Sequence, residues 1–305
     1  MKHLHVDVRQ VPSVRLGVIV LTFNAAAVVE RTLRAAAQVA NQIFVVDSGS
    51  TDGTLGIVRR MGIEPVHRAF VNYADQRNWA IAEFGAQMAW QLHLDADEVL
   101  DDEAVTAVRR VLADPAAVSH AWMFERRTYF LGRPLRFGGA TNYQLRLFPS
   151  GGARCEDRLY DQHFVSTLPV QRLRGVLHDL NAGTLSEWTT RHNRWSDLES
   201  AELRRPDAAA AGQINARLSD DPRERRRLYK RGYYAVPLLW RALALFGWRY
   251  VVLGGFLDGR TGFLYAFSQA LWFRMLVDAK LIEHAQAASA AAATPPAAAV
   301  AEGRS

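Results

Sequence analysis

The stretch Leu16-Gly-Val-Ile-Val-Leu21 is nearly all apolar and ends in the polar turn 22–24. A short apolar run that ends in a turn is typical of a strand buried on both faces of a parallel sheet. Three further strands are predicted downstream, at residues 43–46, 64–67 and 90–94. The folded part of the chain is therefore expected to begin with a strand of a buried sheet.

Segments of helical composition alternate with these strands, at residues 25–39, 54–61, 72–85 and 101–112. Strands that alternate with helices of about 10–15 residues imply βαβ units. We therefore predict an α/β fold that is Rossmann-like, with a mostly parallel, doubly wound sheet. Ligands bind to such sheets at the carboxyl ends of the strands. The polar clusters 22–24, 47–52 and 95–97 fall at those ends, which predicts a binding site there.

The composition is that of a globular protein, with 49% hydrophobic and 22% charged residues in a chain of 305. It excludes a disordered or collagen-like polymer. The single cysteine, Cys155, excludes an internal disulfide framework and a zinc-thiolate site, and it fits a reducing compartment. The net charge of +6 suits nucleic acid, anionic lipid or a phosphate-bearing substrate without choosing between them. Residues 1–15 have no apolar core, so we predict no signal peptide.

The last third of the chain predicts helices that lie against a membrane. A basic stretch, 204–231, precedes the apolar and aromatic segments 232–257 and 263–282. The longest charge-free stretch between residues 232 and 282, at 261–273, has 13 residues, whereas a spanning helix needs about 20. Apolar, aromatic segments with embedded arginines suit the membrane interface, and two ordinary helices packed on the sheet are the alternative. The alanine- and proline-rich tail from residue 285 is predicted to be disordered.

Two acidic clusters carry the predicted chemistry. Asp95 and Asp97 stand one residue apart just past a buried strand, where both can reach one divalent cation and its bound phosphates. Acidic triplets also occur on solvated loops, and the preceding apolar strand favours the metal site. In the second cluster Asp47 can accept a hydrogen bond from a base N–H, as a carboxylate does when it recognises uracil. Asp52 is explained as well by an N-cap role for the next helix.

Four blocks of the chain together resemble the family 2 glycosyltransferases. They are Val18-Ile-Val-Leu-Thr-Phe-Asn24, Val45-Val-Asp-Ser-Gly-Ser-Thr-Asp-Gly-Thr54, Gln76-Arg-Asn78 and Leu94-Asp-Ala-Asp-Glu98. Their order and rough spacing match the family over residues 16–103, and the joint match is specific where no single block is. The resemblance implies a GT-A fold, a nucleotide-sugar donor, a divalent metal and inversion at the anomeric carbon.

The resemblance also implies roles for individual residues. The nucleotide-sugar would be bound by residues of these blocks: Thr22, Asn24, Asp47, Ser48, Arg77 and Asp95. Asp97 would be the direct ligand of Mg²⁺ or Mn²⁺, with Asp95 beside it, and His178 would be the third ligand, as in several GT-A enzymes. A lone histidine is also often a structural residue. The acidic residue common after the asparagine of the first block is Ala25 here, so one polar contact is absent.

Three later blocks resemble the lipopolysaccharide-core β-glucosyltransferase branch. They are Phe130-Leu-Gly-Arg-Pro-Leu-Arg136, Tyr143-Gln-Leu-Arg-Leu-Phe148 and Gly255-Phe-Leu-Asp-Gly-Arg-Thr-Gly262. That branch usually has a Val-His-Glu segment where this chain reads Tyr160-Asp161-Gln162. An inverting transfer needs a carboxylate that deprotonates the acceptor hydroxyl. We predict Asp161 for this role and Asp157 as the second candidate, while a structural pair between Asp161 and Arg158 is the alternative.

The sequence thus predicts a hexosyltransferase in which an N-terminal extension (1–15) precedes a GT-A catalytic domain (16–184). A helical acceptor and membrane-association region (185–284) and the tail (285–305) follow. The enzyme would move a hexose or N-acetylhexosamine from a UDP-linked donor to a lipid-linked saccharide, in lipopolysaccharide or cell-envelope polysaccharide synthesis. It would act in the cytoplasm, as a peripheral protein on the inner face of the cytoplasmic membrane.

Two rival classes remain open. A nucleic-acid-binding protein would explain the basic stretch, but the chain has no recognisable recognition helix or stacking-aromatic motif, so no nucleic-acid partner is predicted. A non-catalytic carbohydrate- or nucleotide-binding protein on the same fold is the alternative function. Loss of the Asp95 and Asp97 pair would favour it, and the pair is intact.

Overall fold

The computed structural model describes residues 14–181, 183–205 and 213–293. Strands and helices alternate in the first part of the chain: β1 (Val14–Thr22), α1 (Val29–Ala37), β2 (Gln42–Asp47), α2 (Thr54–Arg60), β3 (Val66–His67), α3 (Tyr73–Gly85), β4 (Met88–Asp95), β5 (Glu98–Leu100) and α4 (Asp102–Ala113). A second series of strands follows: β6 (Ala121–Phe130), β7 (Arg133–Pro134), β8 (Asn142–Pro149), β9 (Ala153–Cys155), β10 (Phe164–Ser166) and β11 (Val170–Asp179). The last series is helical: α5 (Leu185–Arg204), α6 (Pro222–Ala235), α7 (Trp240–Gly247), α8 (Gly259–Ala266) and α9 (Phe273–Ala293).

One large sheet organises the first two series, in the order β3-β2-β1-β4-β8-β6-β11-β5. The strands β3, β2, β1 and β4 are parallel, as βαβ units require. Beyond β4 the sheet is mixed, because β8 runs antiparallel to both β4 and β6, while β11 is parallel to β6. The predicted α/β class is confirmed, and its parallel order is concentrated in the first four strands.

Alternate residues of β1 pack on opposite faces of the sheet, with the period of two that a strand imposes. Val18 and Val20 belong to a core that α1 and α4 cover. Ile19 and Leu21 pack instead with Phe84 and other apolar residues of α3. Helices therefore cover both faces, which is the doubly wound arrangement.

Residues 121–148 differ from the sequence-based expectation, because no strand was predicted there. They form the long central strands β6 and β8. The buried faces of both strands carry arginines among the apolar residues, so the apolar alternation that signals a strand is interrupted. The partners of two of these arginines, Arg126 and Arg146, lie at the candidate site described below.

Helices α7 and α8, each continued by a π-helical turn, form an antiparallel pair that we call the helical hairpin, residues 240–272. Its first arm is α7 with the π-helical turn Trp248–Val252, and its second is α8 with the π-helical turn Phe267–Trp272. α7 packs against the second π-helical turn, and α8 packs near the first. The connecting turn Gly255–Asp258 packs closely on α8 at Gly262, where an added Cβ would lie 2.1 Å from the carbonyl oxygen of Gly255. Only glycine fits there without a shift of the backbone.

The sequence predicts two separate segments at the ends of the chain, an N-terminal extension (1–15) and a tail (285–305). Residues 1–13 of the predicted N-terminal extension lie outside the described residues, as do residues 294–305 of the predicted tail. Residues 285–293, expected to be disordered, continue α9 as helix, because their alanine-rich sequence favours helix most strongly. Within the described ranges no helix is long and apolar enough to cross a membrane.

Candidate active site

The carboxyl ends of β1, β2 and β4 meet at one edge of the sheet. The register pairs Thr22 with Asp47, and Leu21 with Asp95. Thr22 Oγ1 donates a hydrogen bond to Asp47 Oδ2 across 3.0 Å, and both residues are buried. The predicted nucleotide-sugar residues of these three strands are therefore brought together.

Asp47 organises the loop that follows β2. Its Oδ1 accepts hydrogen bonds from the backbone N–H groups of Gly49 (2.9 Å) and Ser50 (2.8 Å), and the Ser50 hydroxyl donates to Oδ2. Burial alone would raise the pKa of Asp47, but these donors and Thr22 outweigh it, so the pKa lies below its ordinary value. Asp47 is thus a fixed anion at the floor of the cleft.

Asn24 and Ser48 tie this loop to its neighbours. Asn24 has a positive φ of 46°, which asparagine tolerates, and its Oδ1 accepts a hydrogen bond from the Thr51 backbone N–H across 2.8 Å. Ser48 Oγ accepts a hydrogen bond from Gln76 Nε2 across 2.7 Å. The first three sequence blocks therefore contact one another around the same cleft.

Asp95 is held between two arginines. Arg77 Nη2 donates to its Oδ1 across 2.7 Å, and Arg146 Nη2 donates to its Oδ2 across 2.8 Å. Burial would raise the pKa of Asp95, but Arg146 and Arg77 hold it well below the ordinary range. Asp95 is ionised and its charge is already compensated by this chain.

Glu98, at the start of β5, is wholly buried beneath Asp95. Its Oε1 lies 2.6 Å from Arg146 Nη2 and 3.1 Å from Arg126 Nε, and its Oε2 accepts a hydrogen bond from the Asp95 backbone N–H. Arg126 continues the chain of charges to Asp179 Oδ2, 2.7 Å away. Two arginines thus bridge three carboxylates below the cleft.

Asp97 is the carboxylate whose charge is least compensated. Burial raises its pKa to about 7, with the charges of Asp179 and Asp95 adding to the effect and Arg126 opposing it. The pKa of Asp179 is also raised, chiefly by burial. Among the residues that the structure describes, none donates a hydrogen bond to the Asp97 carboxylate. Two neighbouring carboxylates that resist ionisation are a donor set that suits a cation.

The fit to Mg²⁺ or Mn²⁺ depends on how many ligands the chain must supply. Within the described ranges, no group of three acidic, histidine or cysteine side chains is placed to hold one metal ion. Mg²⁺ commonly takes one or two carboxylates and completes its shell with phosphates and water. Asp97 fits such a site, whereas Asp179 beside it is paired with Arg126 and Asp95 is already paired with Arg77 and Arg146.

The structure does not bring His178 to these carboxylates. Its Nδ1 lies 3.2 Å from the Tyr129 hydroxyl, and its Nε2 lies 4.0 Å from Asp101 Oδ2. Burial lowers the pKa of His178. Successive side chains of a strand point to opposite faces, so on β11 Asp179 faces the site and His178 faces away. The predicted metal-ligand role of His178 has no contact in the described residues to support it.

The two candidate bases have different surroundings. Asp161, at a positive φ of 58°, contacts Lys230 Nζ (3.0 Å), Arg227 Nη1 (3.3 Å) and His163 Nε2 (3.5 Å). Burial opposes these cations, yet they keep the pKa of Asp161 well below its ordinary value. Asp161 therefore forms ion pairs with Lys230 and Arg227, whereas the structural alternative predicted from sequence was a pair with Arg158. The Asp157 side chain is 77% exposed, with Arg205 at 3.7 Å.

Asp179, Arg126 and Arg146 belong to the site but are not among the residues that the sequence predicts for it. Asp179 ends β11 after the apolar run Gly175-Val-Leu177, which is the same strand-end signal that singled out Asp47 and Asp95. Arg126 and Arg146 are partners of buried carboxylates.

Comparison with known proteins identifies the relatives of this chain. Residues 17–161 match the model of the glycosyl transferase family 2. An uncharacterized glycosyltransferase of Rickettsia bellii is 31% identical over 99 residues, which are 32% of this chain and 33% of that protein. The match thus spans about a third of the Rickettsia relatives. The lipopolysaccharide core biosynthesis glycosyltransferase LpsC of Rhizobium meliloti is 26% identical over 273 residues, or 85% of this chain and 92% of LpsC.

A solved structure also aligns with most of the chain. It is that of S. aureus TarS 1–349 in complex with UDP-GlcNAc, with a TM-score of 0.43 and 12% sequence identity. The alignment covers 88% of this chain and 92% of the TarS chain.

Proposed function

We propose that this glycosyltransferase, whose residues 17–161 match the model of the glycosyl transferase family 2, moves a hexose or N-acetylhexosamine from a UDP-linked sugar to a saccharide acceptor. The acceptor is linked to a lipid at the inner face of the cytoplasmic membrane, in the synthesis of lipopolysaccharide or another cell-envelope polysaccharide. The similarity to LpsC over most of both chains supports this class of acceptor.

The observation that carries the proposal is the under-compensated carboxylate of Asp97 at the carboxyl edge of the sheet. Burial and the charges of Asp179 and Asp95 raise its pKa, directly beside the strand end that carries Asp95. A carboxylate that served stability alone would be neutralised, as Arg77 and Arg146 neutralise Asp95 and as Arg126 pairs with Asp179. A site that must attract a cation with a diphosphate keeps such a carboxylate uncompensated.

The donor's nucleotide is proposed to bind over Thr22 and Asp47. The fixed, ionised carboxylate of Asp47 suits an N–H donor such as that of uracil, and Ser48 and Asn24 border the same loop. The sugar diphosphate would extend toward Asp95 and Asp97. Arg77, buried beside Asp95, supplies positive charge at this end of the cleft.

A divalent ion, Mg²⁺ or Mn²⁺, would be held by Asp97 together with phosphate oxygens of the donor. When bound, it supplies Lewis-acid stabilisation of the leaving diphosphate. The chain's own residues orient the nucleotide through Asp47 and keep Asp95 in place through its two arginines. Asp161 is proposed to take the proton of the acceptor hydroxyl, with Asp157 as the second candidate.

Calorimetric titration with UDP, with and without Mn²⁺, tests this site directly. We expect the protein to bind UDP in the presence of Mn²⁺ and the Asp97→Asn variant to lose the metal-dependent part. The Asp157→Asn variant is the matched control, because its side chain is exposed and its ion pair is long. Absence of UDP binding under either condition would contradict the proposed donor. Metal-independent binding would contradict the role of Asp97.

A further inference from the structure

The helical hairpin, residues 240–272, exposes an unusual concentration of apolar side chains. Nearly half of the exposed large apolar side chains of the described residues lie in this short segment. Trp240 is 69% exposed, Val251 63% and Val252 61%, and Phe256 and Leu257 at the tip are half exposed or more. Contiguous apolar surfaces of this kind mark sites of interaction with a membrane or another molecule.

The exposed side chains form one surface across both arms. Tyr250 of the first arm lies 5.5 Å from Phe263 of the second, and Phe246 contacts the same ring at 6.4 Å between centroids. Tyr250 also approaches Phe256 at the tip, 6.3 Å away. The aromatic rings therefore join the apolar residues of the two arms into a continuous face.

This face is held rigidly on the rest of the protein. At its base, Asp278 of α9 accepts hydrogen bonds from the Leu239 backbone N–H across 2.7 Å and from Arg241 Nε across 2.8 Å. At its tip, Asp258 Oδ2 accepts a hydrogen bond from the Phe137 backbone N–H across 2.9 Å. Arg249 Nε donates to the carbonyl oxygen of Gly138 across 2.7 Å. The apolar exposure belongs to a fixed surface, and the connection between β7 and β8 supports it.

The charges around the hairpin favour an anionic partner. From Arg225 to Phe267 the chain has eight lysine and arginine residues and a single acid, Asp258, and three of the eight are engaged in ion pairs with Asp161 or Asp278: Arg227, Lys230 and Arg241. Asp258 is already occupied by backbone N–H groups. Exposed arginines remain on the hairpin and in the segments that adjoin it: Arg133, Arg136, Arg231 and Arg260. Each basic residue near an anionic bilayer contributes about 1 kcal/mol of attraction.

The dimensions of the hairpin exclude a spanning role for its first arm. Residues 240–252 form a helix of about 20 Å at 1.5 Å per residue, whereas the hydrocarbon core is about 30 Å thick. Tryptophan, arginine and aliphatic side chains on one face are the composition of a helix that lies in the plane of the interface.

We infer that the helical hairpin docks the protein onto a membrane that contains anionic lipids, with its tip, around Val252 and Leu257, in the boundary between headgroups and acyl chains. This inference deepens the proposed function, because a lipid-linked acceptor is presented at such a surface. It is nevertheless tested without donor or acceptor, so its failure and that of the proposed function are distinguishable.

Co-sedimentation with lipid vesicles tests the inference. The full-length protein is mixed with vesicles of phosphatidylcholine alone, or of phosphatidylcholine with phosphatidylglycerol. We expect binding to the mixed vesicles and a loss of about tenfold or more for the double variant Val252→Asp, Leu257→Asp, because each buried aliphatic side chain contributes strongly. The matched control is Leu218→Asp, whose side chain is 77% exposed outside the hairpin and which should bind as the native chain does.

Two accompanying measurements keep the result unambiguous. Thermal unfolding and the far-ultraviolet circular dichroism spectrum should be unchanged in the double variant, which shows that it is folded. Failure of the native protein to sediment, or equal sedimentation of the double variant, overturns the inference. A further outcome would also overturn the inference: sedimentation velocity shows a dimer for the native protein and a monomer for the double variant, and neither protein binds vesicles. The apolar face would then be an interface with a second copy of this chain.

Discussion

The guanidinium of Arg146 donates to Glu98 Oε1 across 2.6 Å, and the two side chains are 4% and 0% exposed. The same Nη2 donates to Asp95, so one arginine joins β8 to the carboxyl end of β4. Removing one partner of a buried ion pair leaves the other uncompensated, which costs about 3–5 kcal/mol. We expect Arg146→Met to lower the free energy of unfolding by about that amount.

Urea unfolding followed by circular dichroism measures this effect. Arg34→Met is the matched control, because Arg34 pairs with Glu30 on the surface, where the side chains are 71% and 46% exposed. Such a pair contributes at most about 1 kcal/mol. Adding Glu98→Gln to Arg146→Met should recover part of the loss. A loss in Arg146→Met no larger than that in Arg34→Met would show that the buried network is not stabilising.

Asp97 should make stability depend on pH. Its pKa in the folded protein is raised to about 7 by burial and by the charges of Asp179 and Asp95, whereas an unfolded aspartate has a pKa near 3.9. The folded state therefore binds the proton more tightly, so this group's favourable contribution is complete below about pH 3.9. It declines as pH rises and is gone above the folded pKa of about 7.

The Asp97→Asn variant should lack this decline. Measured in EDTA, its Tm should exceed that of the native protein by a few degrees at pH 8 and equal it near pH 4. Mn²⁺ added at pH 8 should then raise the Tm of the native protein and leave that of the variant unchanged. Equal Tm values for the two proteins at pH 8 would contradict the raised pKa of Asp97.

The first half of the fold is predictable from sequence because its signals are local. Each of β1, β2 and β4 is an apolar run that ends in a polar cluster, and each is followed by a helix-forming segment. Asp47 and Asp95 could be singled out for the same reason, since strand ends are recognisable without knowing the partners of a strand. Asp52 accepts a hydrogen bond from the Thr54 backbone N–H across 2.9 Å, but the residue at the N-cap of α2 is Gly53, so the predicted N-cap role was wrong by one position.

The second half is harder because its decisive contacts are distant in sequence. Arg146 meets Glu98 across 48 positions, and Lys230 meets Asp161 across 69. From sequence alone, a buried arginine cannot be distinguished from a surface residue until its carboxylate partner is known. For this reason β6 and β8 were not predicted. Asp179 was overlooked because the adjacent His178 offered a more familiar ligand type, and only the alternation along β11 separates them.

The roles of Asp161 and Asp157 can be separated by kinetics. If Asp161 accepts the acceptor's proton, Asp161→Asn should lower kcat by about 10²-fold or more while the KM for the donor stays similar. Asp157→Asn should change kcat by less than about threefold, because the exposed side chain has one long ion pair. Steady-state transfer assays with a UDP-sugar check both values.

A stability control is needed for Asp161 because Lys230 and Arg227 would lose their partner in the variant. Thermal unfolding of Asp161→Asn should show whether lost activity reflects lost folding. A fully active Asp161→Asn enzyme would exclude Asp161 as the base. A large loss of kcat in a folded Asp157→Asn enzyme would instead assign the base to Asp157.

Two glycines of the helical hairpin offer opposite outcomes for the same substitution. At Gly262 a Cβ would lie 2.1 Å from the carbonyl oxygen of Gly255, so Gly262→Ala must displace the connecting turn Gly255–Asp258 from α8. At Gly247, a helical position with φ −58°, no atom lies within 4 Å of an added Cβ among the described residues. We expect Gly262→Ala to destabilise the protein by about 1–3 kcal/mol, as overpacking does. Gly247→Ala should stabilise it by about 0.4–1 kcal/mol.

Urea unfolding monitored by tryptophan fluorescence compares the two variants, since Trp248 directly follows Gly247 and Trp272 ends the second arm. Because the exposed tip residues Phe256 and Leu257 lie in this turn, Gly262→Ala should also weaken vesicle binding while Gly247→Ala preserves it. If Gly262→Ala were as stable as Gly247→Ala, the close contact between Gly262 and Gly255 would be wrong. The turn would then not be held against α8, and Gly262→Ala should leave vesicle binding unchanged.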